Sequence, residues 1–241
     1  MDLSTYIALS GQAARQRQMD VLANNIANMS TPGFKAERLM FSQYLVNSPN
    51  PMGSGISYVT DAGNNRDMSQ GPLTQTGNAL DIGLNGDGWL AVTTPTGTSY
   101  TRDGHLQLDA QGELVTTDGD VLQGDGGAPI VVPPGSGKIT INKDGTVSTQ
   151  QGVIGHIPVV TFANEESMVA ESNGLYNTNQ APQPTTTTQV MQGMVEGSNV
   201  QPILALTQLM DAAHQLTAAK DFSNAENTRL QNAIEQLGKT I

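Results

Sequence analysis

A heptad pattern near the C-terminus constrains the fold of this chain more than any other sequence feature. Between residues 202 and 237, pairs of positions three apart recur every seven residues. The pairs are Leu206/Leu209, Ala213/Leu216, Lys220/Ser223, Asn227/Leu230 and Ile234/Leu237. This pattern predicts one seam on a helix about 50 Å long, at about 1.5 Å per residue. Such a helix cannot bury its own stripe, so it needs a second helix from this chain or from a neighbouring subunit.

The N-terminal residues supply a candidate partner helix. Apolar residues there recur at helical spacings, which predicts an amphipathic helix over residues 3–28 that Pro32-Gly33 ends. The seam residues are Ile7, Val21, Leu22, Leu206, Leu209, Ala213, Leu216, Leu230, Ile234 and Leu237. Each large side chain buried there would contribute about 1.5–3 kcal/mol. The residues leave open whether the seam is an intramolecular antiparallel pair or an interface between subunits.

The middle of the chain has a different pattern. Turn signals containing glycine recur at short intervals between short runs such as WLAVTT and KITIN, several of which alternate apolar and polar residues. This is typical of antiparallel hairpins that build a barrel or sandwich. The predicted fold class is therefore α+β, with paired N- and C-terminal helices flanking a mainly β domain.

Composition shifts divide the chain into five predicted segments. Residues 1–46 hold the N-terminal helix and a polar turn, and residues 47–79 form an extended linker rich in Gly, Ser, Asn and Pro. The all-β domain is predicted over residues 80–176, followed by a polar connector over 177–197. The last segment, 198–241, is the heptad helix, with Ser198 or Asn199 as its cap and Pro202 in its first turn.

Charge and composition argue against several classes of function. The net charge is −11, and residues 61–171 carry 14 acids against 4 bases, so nucleic acid and anionic membranes are not expected partners. There is no Cys, and the three His lack metal-ligand spacing. The Asp-Gly turns lack the ligand ladder of a calcium loop. We therefore predict no catalytic site, cofactor or metal.

Targeting signals are also missing from the sequence. No run approaches 18 apolar residues, which predicts no membrane insertion. The first residues show no basic stretch followed by an apolar one, which predicts that no signal peptide is cleaved.

A dense polar junction follows the first predicted helix. Residues 23–38 read ANNIANMSTPGFKAER and resemble the N-terminal signature of the bacterial flagellar rod and hook axial proteins. Three further blocks resemble that family in the same order, at residues 77–92, 100–124 and 194–203. We interpret the junction as an assembly joint, in which amides bond backbone groups and Phe34 anchors the chain. Its signature residues are Asn24, Asn25, Ile26, Asn28, Pro32, Gly33 and Phe34.

The resemblance implies a self-associating structural subunit and not an enzyme. Within the family the proximal rod members are most similar, because this chain has Trp89-Leu90 where distal rod members more often have Phe-Phe. Distal members also usually carry an Arg-Ala-Tyr-Glu run where this chain has residues 214–217. A distal rod subunit is the alternative within the family. A soluble β binding module with a helical dimerisation stalk is the alternative from another class, but it does not explain the four ordered blocks.

The family's architecture gives further expectations. Its subunits stack head to tail, with paired terminal helices lining a tube and the β domain facing outward. The result is a hollow drive shaft that transmits motor torque and passes export substrates. Expected partners are other rod subunits, this chain itself and the flagellar type III export apparatus, and the expected location is the basal-body rod across the periplasm. If the termini are loose in the free monomer, they fold on assembly.

Overall fold

The computed structural model describes residues 3–46 and 56–238. Side chains are described in these ranges except at residues 3–8, 41–46, 56–62, 172 and 237. Contacts divide the chain into two compact units. The helical unit contains both terminal helices and a long hairpin, and the β unit contains residues 28–36 and 67–200.

The helical unit pairs helix α1 (Leu3–Ala27) with helix α2 (Pro202–Gly238). Both predicted helices are confirmed, each to within one residue at its C-terminal end. Pro202 suits the first helical position because its fixed φ fits the helix and its missing N–H would have no partner there. Neither described helix is long and apolar enough to span a membrane.

A hairpin completes the helical unit. Strand β1 (Glu37–Val46) pairs antiparallel with β2 (Ile56–Arg66), from Glu37 opposite Arg66 to Val46 opposite Ile56. The register shifts once, between Met40 and Phe41. Both strands contact α1. Part of the predicted linker is therefore a strand, while its residues 47–55 lie outside the described part of the chain.

The β unit consists of short strands and single 3-10 turns. Its strands are β3 (Leu73–Gln75), β4 (Ile82–Asn85), β5 (Trp89–Thr94), β6 (Gly97–Thr101), β7 (Leu106–Leu108), β8 (Leu114–Thr116), β9 (Val121–Leu122), β10 (Thr140–Ile141), β11 (Thr146–Thr149), β12 (Gly152–His156), β13 (Val159–Thr161), β14 (Val169–Ala170), β15 (Leu175–Asn177), β16 (Gln183–Pro184), β17 (Gln189–Gln192) and β18 (Met194–Glu196). The 3-10 turns are Asp125–Gly127, Glu165–Ser167 and Ser172–Gly174.

These strands form several antiparallel sheets, as the α+β prediction requires. One sheet runs in the order β14-β15-β6-β5-β9-β8-β7, and β13 joins it by pairing with β5 and β16. Another runs β10-β11-β12, while β17 pairs with β4 and β18 with β3. Residues 177–197, the predicted connector, thus contain strands that pair back onto the β unit. The functional division into five segments stays a prediction.

The core is centred on strand β5, which is buried on both faces. Because side chains alternate along a strand, Leu90 and Val92 face one cluster, while Trp89 and Ala91 face another. The first cluster is aliphatic and consists of Ile82, Leu84, Leu90, Val92, Leu106, Leu114, Leu122, Ile130, Val132, Ile139, Ile141, Val147, Ile157, Val159 and Val190. The second consists of Trp89, Ala91, Tyr100, Phe162, Met168 and Tyr176. Both clusters lie wholly within the β unit.

Acidic residues of the β unit act as turn residues. The Asp109 carboxylate accepts hydrogen bonds from the backbone N–H groups of Gln111 and Glu113, at 2.9 and 2.7 Å. The Asp144 carboxylate accepts one from Thr146 N–H at 3.0 Å, which holds its pKa below the ordinary value. Much of the negative charge is therefore placed by turn chemistry.

Candidate assembly site

The face of α2 that packs against α1 repeats every three and four residues. Its buried and half-buried side chains are Ala205, Leu209, Ala212, Ala213, Leu216, Ala219, Ser223, Glu226 and Leu230. Backbone and side-chain contacts show that the two helices run antiparallel. Gln12 Nε2 donates to the carbonyl oxygen of Ala219 at 3.2 Å, and Arg15 donates to the side-chain oxygen of Gln215. The heptad seam therefore has an intramolecular partner.

The seam is shifted by one residue at every second position relative to the prediction. Leu209, Leu216 and Leu230 lie on it, but Ala205 and Ala212 occupy the positions predicted for Leu206 and Ala213. Small alanine side chains let two helix backbones approach closely, which explains why they face α1. On α2, Leu206 is 47% exposed and Ile234 is 69% exposed, so neither packs on α1. Ala213 is half-buried beside Ala212.

The partner residues on α1 are placed as follows. Leu22 is buried, and Val21 and Ile26 are half-buried. The side chains of Ile7 and Leu237 lie outside the described part of the chain, although the backbone of each is helical. The seam's role in assembly stays a prediction.

Asn25 fixes the end of α1 to the start of β1. Its Nδ2 donates to the carbonyl oxygen of Glu37 at 2.8 Å, and its Oδ1 accepts from the N–H of the same residue at 2.9 Å. An amide can satisfy both groups because it is both donor and acceptor. This is the backbone-bonding role that the sequence suggested for the signature Asn residues, although the partner could not be predicted.

The signature turn runs through residues 28–33. Thr31 Oγ1 donates to Asn28 Oδ1 at 3.2 Å, and Thr31 N–H donates to the carbonyl oxygen of Asn28 at 3.1 Å. α1 has already ended at Ala27, so this turn closes the helix ahead of Pro32. Asn24 is exposed, and Pro32 and Phe34 are half-buried.

Gly33 allows the signature turn to lie against the β unit's own backbone. Its φ is +67°, and a Cβ there would lie 2.7 Å from the carbonyl carbon of Arg102. Its N–H donates to the carbonyl oxygen of Glu196 at 2.9 Å. A side chain at this position would meet both backbone strain and a clash. Two blocks that resemble the family, around Gly33 and Arg102, therefore touch directly.

Lys35, Arg102 and Glu196 form a buried charge cluster. Lys35 Nζ lies 2.8 Å from Glu196 Oε1, and Arg102 Nη1 lies 2.9 Å from Glu196 Oε2. Each of the three side chains is about 1% exposed. Lys35 Nζ also donates to the carbonyl oxygen of Ser69 at 2.8 Å. The three residues come from three of the four family-like blocks, at sequence separations of 161 and 94 residues from Glu196.

The cluster holds two cations and one anion. The pKa of Lys35 is lowered, mainly because burial disfavours the charged form. The charge of Glu196 and its hydrogen bond oppose this shift, and the charge of Arg102 adds to it. The guanidinium of Arg102 lies 5.6 Å from the ring centre of Trp89 and donates to the carbonyl oxygen of Gly86 at 3.0 Å. Its buried Nε has no hydrogen-bond acceptor among the described residues. Burying these charges therefore carries an electrostatic cost that is only partly offset.

Asn199 ties the signature segment to the C-terminal block. Its Oδ1 accepts from Ala36 N–H at 2.7 Å, and its own N–H donates to the carbonyl oxygen of Phe34 at 3.3 Å. Its Nδ2 donates to the carbonyl oxygens of Asp67 and Ser69, at 2.7 and 3.0 Å. The sequence suggested this residue as a cap for α2, which is wrong. Its amide is used instead to fix residues 34–36 and 67–69.

The histidines do not converge on a site. His214 is exposed, and His105 Nδ1 lies 2.9 Å from the carboxylate of Asp103. His156 Nδ1 lies 2.9 Å from Asp125 Oδ1, and its Nε2 lies 2.8 Å from the carbonyl oxygen of Asp144. Burial lowers the pKa of His156, but its hydrogen bonds to these two residues outweigh burial and raise it. No group of three or more His, Asp or Glu in the described ranges could hold a metal ion.

The family comparisons match three parts of the chain. The model described as "Flagella basal body rod protein" matches residues 6–35, which include most of α1 and the signature turn. The "Flagellar hook protein FlgE/F/G D1 domain" matches residues 83–149 in the β unit. The "Flagellar basal body rod FlgEFG protein C-terminal" matches residues 191–235, from β17 into α2. These ranges hold all three residues of the buried charge cluster.

Curated relatives match over nearly the full length. The chain is 38% identical to the flagellar basal-body rod protein FlgF of Caulobacter vibrioides, over 99% of each chain. It is 33% identical to FlgF of Mesorhizobium japonicum, again over 99% of each chain. It is 31% identical to the rod protein FlgG of Buchnera aphidicola subsp. Schizaphis graminum, over 95% of this chain and 97% of that one. The chain therefore belongs to the flagellar basal-body rod protein family.

Proposed function

We propose that this chain is a structural subunit of the proximal part of the flagellar rod. Members of its family are structural rod proteins and not enzymes, and they assemble with other rod subunits. In this proposal many copies and their relatives stack head to tail into a hollow shaft. The shaft transmits motor torque and lets exported subunits pass through its lumen.

The observation that carries the proposal is the full-length match to relatives named FlgF. Three of them are 32–38% identical, and each match spans 99% of both chains. Helices and β unit are therefore matched together and in order. Because a shared β unit alone would leave both ends unmatched, this coverage favours a whole rod subunit over a borrowed module.

The helical unit supports a role in self-association. On α2, Ile203 is 83% exposed, and Leu206 and Met210 follow it at helical spacings and are also exposed. They lie away from the face that packs on α1, so the helix pair presents a second apolar surface. Repeated head-to-tail use of such a surface does not close on itself and so extends a tube. Burial there would drive assembly of neighbouring copies.

The proposal includes the route and the site of assembly. Export would use the flagellum's own type III apparatus, and the subunit would end in the rod where it crosses the periplasm. The signature residues and the exposed apolar face of α2, with Ile203, Leu206 and Met210, would lie at contacts between subunits. If the ends of the chain are loose before assembly, ordering them only in the rod would suppress premature polymers.

A distal rod subunit is the second candidate. It is favoured by the relatives named FlgG, one of which is 31% identical over 95% of this chain. The two candidates share fold, helix pair and mode of stacking. They differ in position along the rod, which makes position the measurement that separates them.

The test is to locate the protein within purified basal bodies. A labelled chain should lie at the motor end of the rod, and a strain lacking its gene should stop assembly before the distal rod. Label at the hook end would favour the distal candidate. A deletion strain that still swims would contradict both.

A solution measurement separates the rod subunit from a soluble dimerising module. With rising concentration, the rod subunit should gain helical signal together with long polymers. A stable dimer that never extends would favour the module.

A further inference from the structure

The buried charge cluster contains two cations, Lys35 and Arg102, but only one anion, Glu196. Arg102 and Glu196 already form a neutral pair at 2.9 Å. Lys35 adds a third charge to the same carboxylate while being about 1% exposed. Among the described residues, one further acid attracts the ammonium of Lys35. This is Glu165, which is half-buried and forms no ion pair with it. Lys35 is thus a buried ammonium that shares its counter-ion with another cation.

We propose that Lys35 is a positioning residue for assembly, which holds together the two segments of the β unit that lead into the terminal helices. The proposal rests on the rod function proposed above. Lys35 lies on the segment of residues 28–36, which follows α1 directly. Its carboxylate partner, Glu196, is the last residue of β18, six residues before α2 begins. One ion pair therefore joins the two chain segments that carry the assembly helices.

Stability alone does not account for a lysine at this position. Removing one member of a buried ion pair is costly when it leaves the other charge uncompensated, but here Arg102 would still compensate Glu196. Removing the ammonium of Lys35 would leave the Arg102–Glu196 pair balanced. A methionine would fill similar volume at lower electrostatic cost. The ammonium must therefore contribute something that an apolar side chain would not.

What it contributes is a unique register for the signature segment. Residues 28–36 contain no helix or strand, and individual hydrogen bonds hold them rather than a ladder between strands. These include Gly33 N–H to Glu196 at 2.9 Å and Ala36 N–H to Asn199 Oδ1 at 2.7 Å. A slip by one residue would bring Phe34 or Ala36 to the carboxylate and bury an unpaired ammonium nearby. In coiled coils a single buried polar or charged residue specifies register at a cost in stability, and Lys35 would act in the same way here.

The test uses Lys35→Met in the full-length chain, with Lys138→Met as the matched control. Lys138 is an exposed lysine of the same β unit, so its substitution removes one positive charge without touching the cluster. Amide hydrogen exchange is measured at Gly33 and Ala36, and in strands β5 and β6. Incorporation of each variant into purified basal bodies is measured in parallel.

The expected result is local. In Lys35→Met, exchange at Gly33 and Ala36 should accelerate by about tenfold or more, while β5 and β6 keep their protection. Incorporation should fall by about tenfold. Lys138→Met should match the wild type in both measurements. Lys35→Arg, which keeps a cation, should recover part of the incorporation.

Two outcomes would overturn the positioning role. One is unchanged protection at Gly33 and Ala36 in Lys35→Met together with normal incorporation. The other is loss of protection throughout β5 and β6, which would make Lys35 a stabilising residue of the whole β unit. If the wild type itself never enters basal bodies, the rod function fails instead, and the exchange data still decide whether Lys35 holds residues 28–36.

Discussion

The two units of this molecule bury their apolar side chains to very different extents. In the β unit, strand β5 is covered on both faces and two complete clusters surround it. In the helical unit, the described buried apolar residues are Leu22, Ala205, Ala212 and Leu216. Large apolar side chains on α2 stay exposed, including Phe222 at 66%. The β unit thus has a core within one chain, whereas the helical unit presents apolar surface that a neighbouring subunit would cover.

Two spectroscopic signals allow the units to be followed separately. The chain has a single tryptophan, Trp89, which is fully buried in the β unit. The described α-helices both belong to the helical unit. Tryptophan emission therefore reports on the β unit, and far-ultraviolet circular dichroism at helical wavelengths reports mainly on the other.

The largest effect is expected from Leu209→Asp combined with Leu216→Asp. Loss of two seam side chains removes about 3–6 kcal/mol of burial, and the carboxylates would have to lose their hydration to keep the helices paired. Helical dichroism and incorporation into rods should both collapse, while Trp89 emission stays unchanged. Emission that shifts along with the helices would contradict the independence of the two units.

Leu206→Asp is the matched control for that double variant. Leu206 is on the same helix but away from α1, so the variant should keep its helical signal. It should still lose incorporation if the exposed face contacts neighbouring subunits. A Leu206→Asp chain that assembles normally would remove that face from the proposed interface.

The next largest effect is expected within the β unit, from Glu196→Gln. This change leaves the ammonium of Lys35 and the guanidinium of Arg102 buried without a counter-charge. The free energy of unfolding, measured by urea with Trp89 emission, should fall by about 3–5 kcal/mol. Glu166→Gln, at an exposed position, should change it little. Equal effects of the two substitutions would contradict the assignment of a buried cluster.

A smaller effect is expected where the signature turn meets the β unit. Gly33 and Gly77 have nearly the same φ, +67° and +77°, but an added Cβ meets neighbouring atoms only at Gly33. Gly77→Ala should lose about 1–2 kcal/mol from the left-handed conformation alone. Gly33→Ala should lose about 1–3 kcal/mol more through the clash. Matching losses in urea unfolding would show that the contact with Arg102 is unimportant.

The smallest effect concerns pH. Since the pKa of His156 is raised above 6.5 in the folded chain, its contribution is fully present below pH 6.5 and is lost as pH rises through the raised pKa. His156→Gln should therefore be less stable than the wild type in mildly acidic solution, by less than about 1 kcal/mol for a partly exposed pair. The difference should shrink at higher pH, and Asp125→Asn should show the same trend. A gap that is independent of pH would contradict the ion pair.

The helices and the antiparallel sheets were predictable because they depend on local periodicity and turn chemistry. The seam's register was not. Leucine at 206 satisfies the heptad spacing as well as alanine at 205 does, and it is the more apolar residue. Which of the two faces inward depends on how closely α1 approaches, and nothing in the local sequence of α2 encodes that distance. Leu209, Leu216 and Leu230, the predicted seam residues that are buried or half-buried, belong to both possible registers.

The charge cluster could not be found from the sequence for a different reason. Lys35, Arg102 and Glu196 each lie in a block that resembles the family, but Glu196 is 161 residues from Lys35 and 94 residues from Arg102. Charged residues within Gly-rich, apolar blocks were the available signal. Such a setting indicates that a charged side chain is buried, but it does not indicate which residue pairs with it. The long-range role of Asn199 could not be predicted for the same reason, since a local cap and a long-range hydrogen bond require the same side chain.

The long separation between Lys35 and Glu196 also bears on the order in which the molecule folds. Closing a loop of 161 residues costs more chain entropy than closing a hairpin, so this contact forms late. Hairpins such as β5–β6 can form from nearby residues well before it. A chain that ends anywhere from residue 36 to residue 195 contains Lys35 but lacks its carboxylate partner. The ion pair therefore closes only in chains that extend to residue 196, and shorter products lack this attachment of their signature segment.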